Sequence, residues 1–340
     1  IEKIIFSGVD STTNQSLVNQ FEFLKGQVFN KNEIEYNIEQ LLIGYENSGY
    51  PFAKVIITSV DVYIDSIKDE NLADLYLKIE SGKENRINKI EIRGNTSTKD
   101  NVILRELRFE TGEPYVQKQI EEFPKRLNRL RFFEPVALPQ FYINSKSEGI
   151  LVIEIKEKNT NNFDGIIGYV PPGKNENSGY VTGLVNISLR NLFGTGRAAA
   201  IKWNKYNRNS QELDLKYLEP WFLGFPVNIN LSLNQRVQDT TYVQRKLEGA
   251  LEYLATEDIS GSVMVATETV VPTVRTNPVF TVYNSSYITT GLNLKIDTRD
   301  DPYSPTEGVL FVNSYSFSKK SINGPAEYIT PTLETSINLQ

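Results

Sequence analysis

The chain contains no cysteine and no histidine. Without cysteine there is no disulfide scaffold, no thiol nucleophile and no thiolate metal site, a composition suited to an oxidising compartment where stray thiols are a hazard. Without histidine it lacks the side chain most used for proton transfer near neutral pH, and the commonest metal ligand. No run of about 18 apolar residues occurs, so no membrane-spanning helix is encoded. Membrane strands stay open, because only every second strand residue needs to face lipid. The formal net charge is -6 and no basic block follows a nucleic-acid backbone, which excludes the footprint of a DNA or RNA binder. Phosphate loops, zinc spacings and nucleophile motifs are absent as well. Neither an enzyme nor a cofactor is expected. A length of 340 residues suggests two or three domains, and the chain opens at Ile1 without a secretion signal, which implies a processed or trimmed start.

What is present is alternation. From Gly179 to Asn234, Val181, Val185, Ile187 and Leu189 point one way while Thr182, Asn186, Ser188 and Arg190 point the other. Leu213, Leu215 and Tyr217 oppose Glu212, Asp214 and Lys216, and Val227, Ile229, Leu231 and Leu233 oppose Asn228, Asn230, Ser232 and Asn234. Period two marks strands with one apolar and one wet face. Strands of about ten residues, evenly spaced with aromatics at the turns, point to a transmembrane β-barrel; a soluble sandwich also alternates, but on strands of about five to six residues. Leu213, Leu215, Ile229, Leu231, Leu292 and Leu294 are the expected lipid-facing positions.

Residues 1–159 have another texture, in which short strands alternate with helical periods. Ile1 to Val9 reads as a strand, followed by a helix bearing Leu17, Val18, Phe21 and Leu24. A second helix carries Ile34, Ile38, Leu41, Leu42 and Tyr45 and stops at Asn47-Ser48-Gly49. Strands Phe52–Val62 and Leu72–Ile79 close the unit. The same order then recurs: Gly8 and Gly94, Gly26 and Gly112, Phe29 and Tyr115, Ile34 and Ile120, and Leu41 and Leu127 are each 86 positions apart. One offset shared by five landmarks marks an internal repeat. In the second copy Ile87 to Gly94 is the strand, Ser97 with Asp100 is a capping signal for a helix bearing Val102, Ile103 and Leu107, and Pro124 should kink or delay the following helix. Val136–Ile143 and Ile150–Lys156 are its last strands. Because Pro139 confines its strand to an edge, Val136, Ala137, Leu138, Gln140, Phe141 and Tyr142 form a candidate docking edge for an extended guest. The alternative is a module that only spaces the second half at a distance.

Past Asn159 the helical periods stop and ten strands are expected, at about 163–170, 179–191, 196–206, 210–220, 225–237, 241–255, 259–270, 285–298, 308–318 and 327–340. Connections on one side are tight (191–196, 221–224, 256–258, 299–308); those on the other are polar or long, the asymmetry of outer-membrane barrels. Trp203, Tyr206, Tyr217, Trp221, Phe222 and Phe225 lie near strand ends, as an interfacial girdle requires, although a soluble core could use them too. Asp297, Asp300 and Asp301 around Arg299 resemble a cation site at first sight. With Pro302, Pro305 and Gly308 they equally describe a turn whose arginine is paired with its neighbours, and no second acidic cluster completes a cage.

The residues resemble the BamA-type outer-membrane assembly factors, in which POTRA modules of order strand–helix–helix–strand–strand precede a barrel. The resemblance rests on Arg93-Gly-Asn-Thr and Gly112-Glu-Pro-Tyr in the second module. In the barrel it rests on Asn191-Leu-Phe-Gly-Thr-Gly-Arg197, Glu219-Pro-Trp-Phe-Leu-Gly224 and Asp297-Thr-Arg-Asp-Asp-Pro-Tyr-Ser-Pro-Thr-Glu-Gly308. Asn191, Phe193, Gly194, Gly196, Glu219, Pro220, Trp221, Asp297, Arg299, Asp300, Pro305 and Gly308 are thus the family turn positions. The implied division is a POTRA module at 1–83, a second at 84–159 and the N-terminal part of the barrel at 160–340. The implied function is folding and inserting β-barrel proteins, with unfolded barrel clients, accessory periplasmic or lipoprotein subunits and outer-membrane lipid as partners, and no nucleic acid. The implied place is the bacterial outer membrane with POTRA modules in the periplasm. In the family the first barrel strand is a lateral gate, here Phe163, Asp164, Gly165, Ile166, Ile167, Gly168, Tyr169 and Val170. Gly165 and Gly168 either weaken that strand or ease its curvature. The family's barrel has sixteen strands, of which about ten are expected here. The closing strands, with an aromatic-ended last one, and the Val-Arg-Gly-Phe/Tyr loop are expected beyond Gln340, because the only Arg-Gly pair, Arg93-Gly94, lies in the second module. A polypeptide-translocating relative, TamA-like or a two-partner secretion transporter, is the alternative reading.

Overall fold

The computed structural model describes residues 1–8, 18–65, 70–174, 177–273, 282–299, 305–322 and 327–339. The first repeat consists of β1 (Lys3–Ser7), a 3₁₀ segment Asn19–Leu24, α1 (Lys31–Glu46), β2 (Lys54–Asp65) and β3 (Glu70–Glu80). The second consists of β4 (Ile87–Arg93), α2 (Asp100–Leu107), α3 (Gln117–Leu130), β5 (Gln140–Ile143) and β6 (Gly149–Glu154). Their sheets have the same order, β1-β3-β2 and β4-β6-β5, with one parallel and one antiparallel pairing each. In the first, Ile34, Leu41 and Tyr45 of α1 are buried with Leu75, Leu77 and Ile79 of β3, as three-and-four spacing against period two requires.

The repeat holds at the level of single hydrogen bonds. Gly26 N–H donates to Ile1 O at 2.8 Å and Gly112 N–H to Ile87 O at 2.7 Å. Gly8 and Gly94 both have positive φ, 83° and 91°, and a Cβ on either would overlap the carbonyl of the strand beside it, Ile79 or Ile155. Only glycine meets both demands at that crossing. Ile34, Leu41, Ile120 and Leu127 are all buried; Phe29 is exposed while Tyr115 is buried.

Three expectations need correction. The first helix is a 3₁₀ segment that starts at Asn19, and Leu17 lies outside the described residues. Phe21 and Leu24 are still buried, because a three-residue turn also sets i and i+3 on one side. α3 runs through Pro124, a position the structure does not explain. The edge strand starts at Gln140, not Val136: Pro135 and Pro139 bracket a non-strand segment. Val136 is buried, and its N–H donates to Asn128 Oδ1 at 2.9 Å.

The two repeats pack on one another. Asn85 N–H donates to Gly49 O at 2.8 Å and Lys118 N–H to Asn47 Oδ1 at 2.8 Å, while the Phe141 ring lies 5.9 Å from Phe52 and 4.8 Å from Tyr115. Burial, with Glu46 and Glu121 nearby, pushes the Tyr115 phenol up to about 12.

Among the described residues the second half is one ten-stranded antiparallel sheet in which every strand pairs with its sequence neighbours. The strands are β7 (Asn162–Val170), β8 (Tyr180–Leu192), β9 (Arg197–Lys205), β10 (Gln211–Glu219), β11 (Val227–Gln238), β12 (Tyr242–Leu254), β13 (Ile259–Pro272), β14 (Ser285–Asp297), β15 (Val309–Ile322) and β16 (Glu327–Leu339). Register sorts the side chains by face. One row across the sheet is Ile187, Ile201, Leu215, Leu233 and Leu247; another is Ile229, Leu251, Val263, Leu292 and Tyr315. The opposite face carries Asn186, Lys202, Asp214, Asn234, Lys246 and Glu268. Leu213, Leu215, Ile229, Leu231, Leu292 and Leu294 share the apolar face, and Leu292 is 57% exposed there. Burial of these leucines in a dry interior, the mark of a sandwich, is not what the sheet shows.

The apolar belt does not follow one hydrogen-bonded row. On β8 it holds Val185, Ile187 and Leu189. The row through Val185 turns polar at Gln235, Arg245, Thr269 and Ser286, and on β14 the belt has moved to Leu292, Leu294 and Ile296. Strands tilted by about 35–45° to a flat apolar slab produce this oblique path. Among the described residues no helix is long and apolar enough to cross a membrane.

By packing, the chain divides into two units. One holds residues 1–94, 106–128 and 135–156; the other holds 95–105, 129–134 and 157–340. The sheet therefore brings two segments of the second repeat into its own unit.

Candidate functional site

β7 is the candidate. It pairs with β8 from Asn162↔Ser188 to Val170↔Tyr180 and ends the sheet, with no strand on its other side among the described residues. An edge of this kind presents a row of N–H and C=O groups to any chain that can extend beside it. Phe163, Gly165, Ile167 and Tyr169 lie on the apolar face opposite Ile187, Val185, Gly183 and Val181, whereas Ile166 and Gly168 lie on the other face opposite Leu184 and Thr182. Phe163, Ile166, Ile167 and Tyr169 are all strongly exposed.

Neither Gly165 nor Gly168 has positive φ, and a Cβ on either meets its first neighbour at 3.4 or 3.3 Å. No bend demands them, so their effect here is the weak strand propensity of glycine. The glycine that geometry does demand is Gly183 on β8, where a Cβ would press on Ile166 O. Sequence reasoning passed over it, although a lone glycine inside a strand pattern is the usual sign of close backbone approach.

The linker into β7 is held within the same unit. Glu157 accepts hydrogen bonds from Thr98 N–H at 2.6 Å, Thr96 O–H at 2.7 Å and Ser97 N–H at 3.0 Å. Burial alone would raise this carboxyl; the bonds from Thr98, Thr96 and Ser97 outweigh it and hold the pKa at about 2. Ser97 thus lies three residues outside α2 and spends its amide on Glu157 rather than on the helix start. Four residues on, Asn161 Oδ1 accepts from Arg190 N–H at 3.0 Å. Because the folded value is depressed below 4.5, the clamp stabilises fully above that pH and is lost as pH falls from there toward 2. Glu157→Gln should remove this acid sensitivity and loosen residues 95–99, which hydrogen exchange against pH would register.

The family turn positions meet the same segments. Asn191 Oδ1 accepts from Gly196 N–H at 2.9 Å, while its Nδ2 donates to Thr98 Oγ1 at 2.7 Å. Lys99 N–H donates to Gly194 O at 2.9 Å and Arg105 Nη2 to Thr195 O at 3.1 Å. Gly194 has φ of 69°, and a Cβ there would overlap Ser97 O. Arg129 donates to Glu257 O, to Asp258 Oδ1 at 2.5 Å and to Asp297 O at 3.3 Å. Both partners of the Arg129–Asp258 pair are mostly buried, so Arg129→Ala should cost about 1–3 kcal/mol in thermal stability, against a change within about 0.5 kcal/mol for exposed Lys158→Ala.

Glu219 pairs with Arg197 Nε at 2.7 Å and accepts from Tyr217 O–H at 2.6 Å. Pro220 follows, and Trp221 is buried with φ of 51°, its N–H donating to Asn228 Oδ1 at 3.3 Å. Trp221 is thus a packing residue of the turn, whereas Tyr206, Phe222 and Phe225 are exposed as a girdle requires. Arg299 donates twice to Asp297, at 2.7 and 2.9 Å, and Lys295 approaches Asp297 at 3.1 Å. Asp297 is thereby paired with Arg299 and Lys295, and among the described residues no group of three or more acidic side chains that could hold a metal ion occurs. Asp300, Asp301 and Pro302 lie outside the described residues; Pro305 stands in the connection, and Gly308 takes φ of 109°.

Comparison with known proteins agrees with this architecture. Residues 1–82 and 85–158 each match the POTRA model, described as a surface antigen variable number repeat, and residues 191–339 match the Omp85 superfamily domain. The outer membrane protein assembly factor BamA of Nitratidesulfovibrio vulgaris is 30% identical over 159 residues, covering 46% of this chain and 19% of that protein. BamA of Neisseria meningitidis is 25% identical over 197 residues, 57% of this chain and 23% of that protein. The chain therefore spans about a fifth to a quarter of the length of these relatives. The crystal structure of BamA from Haemophilus ducreyi lacking POTRA domains 1–3 superposes with a TM-score of 0.64 at 19% identity, covering 94% of this chain and 65% of that one. Fold and site together define a class: POTRA repeats leading into an antiparallel outer-membrane sheet, with the repeats on the periplasmic side. Within that class, residues 191–339 match the Omp85 superfamily domain, residues 1–82 and 85–158 match POTRA repeats, and the order of parts is BamA-like.

Proposed function

We propose that this chain belongs to a factor that folds β-barrel proteins and inserts them into the outer membrane, with β7 as the lateral gate. The make-up of β7 carries the reading: it is an end strand of the described sheet, and Gly165 and Gly168 weaken its hold on a neighbour. A strand entering lipid with unpaired backbone groups costs several kcal/mol for each of them, so it must arrive already hydrogen-bonded. An edge in the membrane whose strand is weakened by Gly165 and Gly168 supplies that template and can release it. No bond is made or broken in such a reaction, and it needs no cofactor.

Clients would reach the edge from the repeats. In the second repeat β5, at one edge of the β4-β6-β5 sheet, offers Gln140 to Ile143 for strand addition; Phe141 is engaged at the junction with the first repeat, and Gln140, Tyr142 and Ile143 are exposed. Val136, Ala137 and Leu138 are withdrawn from the docking proposal, since they are not part of the strand.

Photo-crosslinkers placed at Phe163 and Ile167 of the full-length protein should capture barrel clients during insertion, and the same label at Leu231 should not. A translocating transporter would instead yield adducts from the polar face, at Asn234. That outcome would replace the insertase reading.

A further inference from the structure

We infer that the tips of two neighbouring periplasmic turns, 191–196 and 220–226, insert into the inner leaflet of the outer membrane as a lipid contact next to β7; this rests on the membrane placement of the sheet. The turns join β8 to β9 and β10 to β11 and so lie at one end of the sheet. The Arg197–Glu219 pair ties them together, and a Cβ on Gly196 would come within 3.4 Å of Pro220 Cγ.

Their tips combine two features that rarely meet. Phe193, Trp221 and Leu223 all have positive φ, at 54°, 51° and 55°, a conformation bulky side chains avoid and one that persists only where the surroundings impose it. Trp221 is buried. Phe193 and Leu223 are 85% and 79% exposed, so their strain serves to present apolar side chains outward instead of packing them.

Direction follows from the rest of each turn. The polar groups of the first turn are spent on residues 95–105, through Gly194 O, Thr195 O and the Asn191 amide, and Phe193 is left outside that contact. In the second turn Phe225 is extended (φ -87°, ψ 153°) and stands two residues before Val227. Val227 N–H turns back to Phe225 O at 2.7 Å, so the two-residue alternation of β11 starts at Val227, and exposed Phe225 stands at the end of the strand that carries Val227, Ile229 and Leu231 on the apolar face. Phe222 to Pro226 carry no charged side chain. An uncharged apolar tip at the end of a strand that carries a lipid-facing belt fits the acyl–headgroup boundary, where aromatic and leucine side chains settle.

The chain lacks cysteine, so single environment-sensitive fluorophores can be placed at Phe193→Cys, Leu223→Cys and Phe225→Cys, with Leu231→Cys and Asn234→Cys as lipid and water references. Any cysteines elsewhere in the full-length protein would be replaced first. In nanodiscs of phosphatidylethanolamine and phosphatidylglycerol the three tip labels should emit at the blue-shifted position of the Leu231 label. Doxyl-lipid should quench them at least about twofold more than aqueous iodide does. Tip labels that behave like the Asn234 label while the Leu231 label stays in lipid overturn the inference and leave the membrane reading intact. Protection from both quenchers overturns it in favour of a protein partner. A water-exposed Leu231 label overturns the inference together with the reading beneath it.

Discussion

A disulfide between Ile166→Cys on β7 and a cysteine in the strand that closes against it in the full-length protein should abolish client insertion, and reduction should restore it. Ile166 is suited to the lock because it lies on the polar face of the edge strand, opposite Leu184, so the bridge does not disturb the belt in lipid. Every client backbone group left without a partner in the membrane costs several kcal/mol, and about 1.4 kcal/mol is a factor of ten in rate. Denying the template even one pairing therefore slows insertion by roughly a hundredfold or more. Insertion measured with a folding-dependent gel shift in proteoliposomes is the assay. Undiminished insertion by the locked protein would remove the gate proposal while leaving the repeats free to act as client receptors.

The second large effect concerns the belt. Leu231→Arg should destabilise the folded sheet by about 2–4 kcal/mol if it sits near the bilayer midplane, roughly a 30- to 700-fold shift in the folding equilibrium. Its neighbour Ser232→Arg, on the opposite face between Lys216 and Glu248, should change stability by less than about 1 kcal/mol. Denaturant titration of the full-length protein in lipid vesicles compares the two. Equal penalties would mean that the faces are not distinguished by solvent.

Most of the fold was legible because its signals are periodic. All ten sheet strands stand within about two residues of where alternation put them, apart from the end of β15, which runs on to Ile322. The repeat was legible through glycines, since Gly8 and Gly94 occupy a crossing where the backbone leaves no room for a side chain. What escaped was set by long-range packing. The start of the edge strand at Gln140 depended on where Val136 is buried. Leu17, Val18, Phe21 and Leu24 suggest a helix by spacing, yet the chain from Asn19 takes the tighter 3₁₀ turn, which spacing alone does not separate from an α-helix. The clamp on Glu157 joins residues about 60 positions apart, and Arg129 reaches turns more than 120 positions away; no local pattern encodes such partners. Trp221 looked like a girdle residue because closeness to a strand end does not report burial, and its ring is packed within the turn.

Cysteine scanning along β11 tests the membrane placement most directly. Each residue from Asn228 to Leu233 would be replaced in turn in the full-length protein in lipid, and the labelling rate by a charged, membrane-impermeant maleimide followed. The structure predicts a strict two-residue beat, with Ile229, Leu231 and Leu233 slow and Asn228, Asn230 and Ser232 fast through the aqueous interior. Uniform labelling, or leucine positions that react as readily as their polar neighbours, would contradict it.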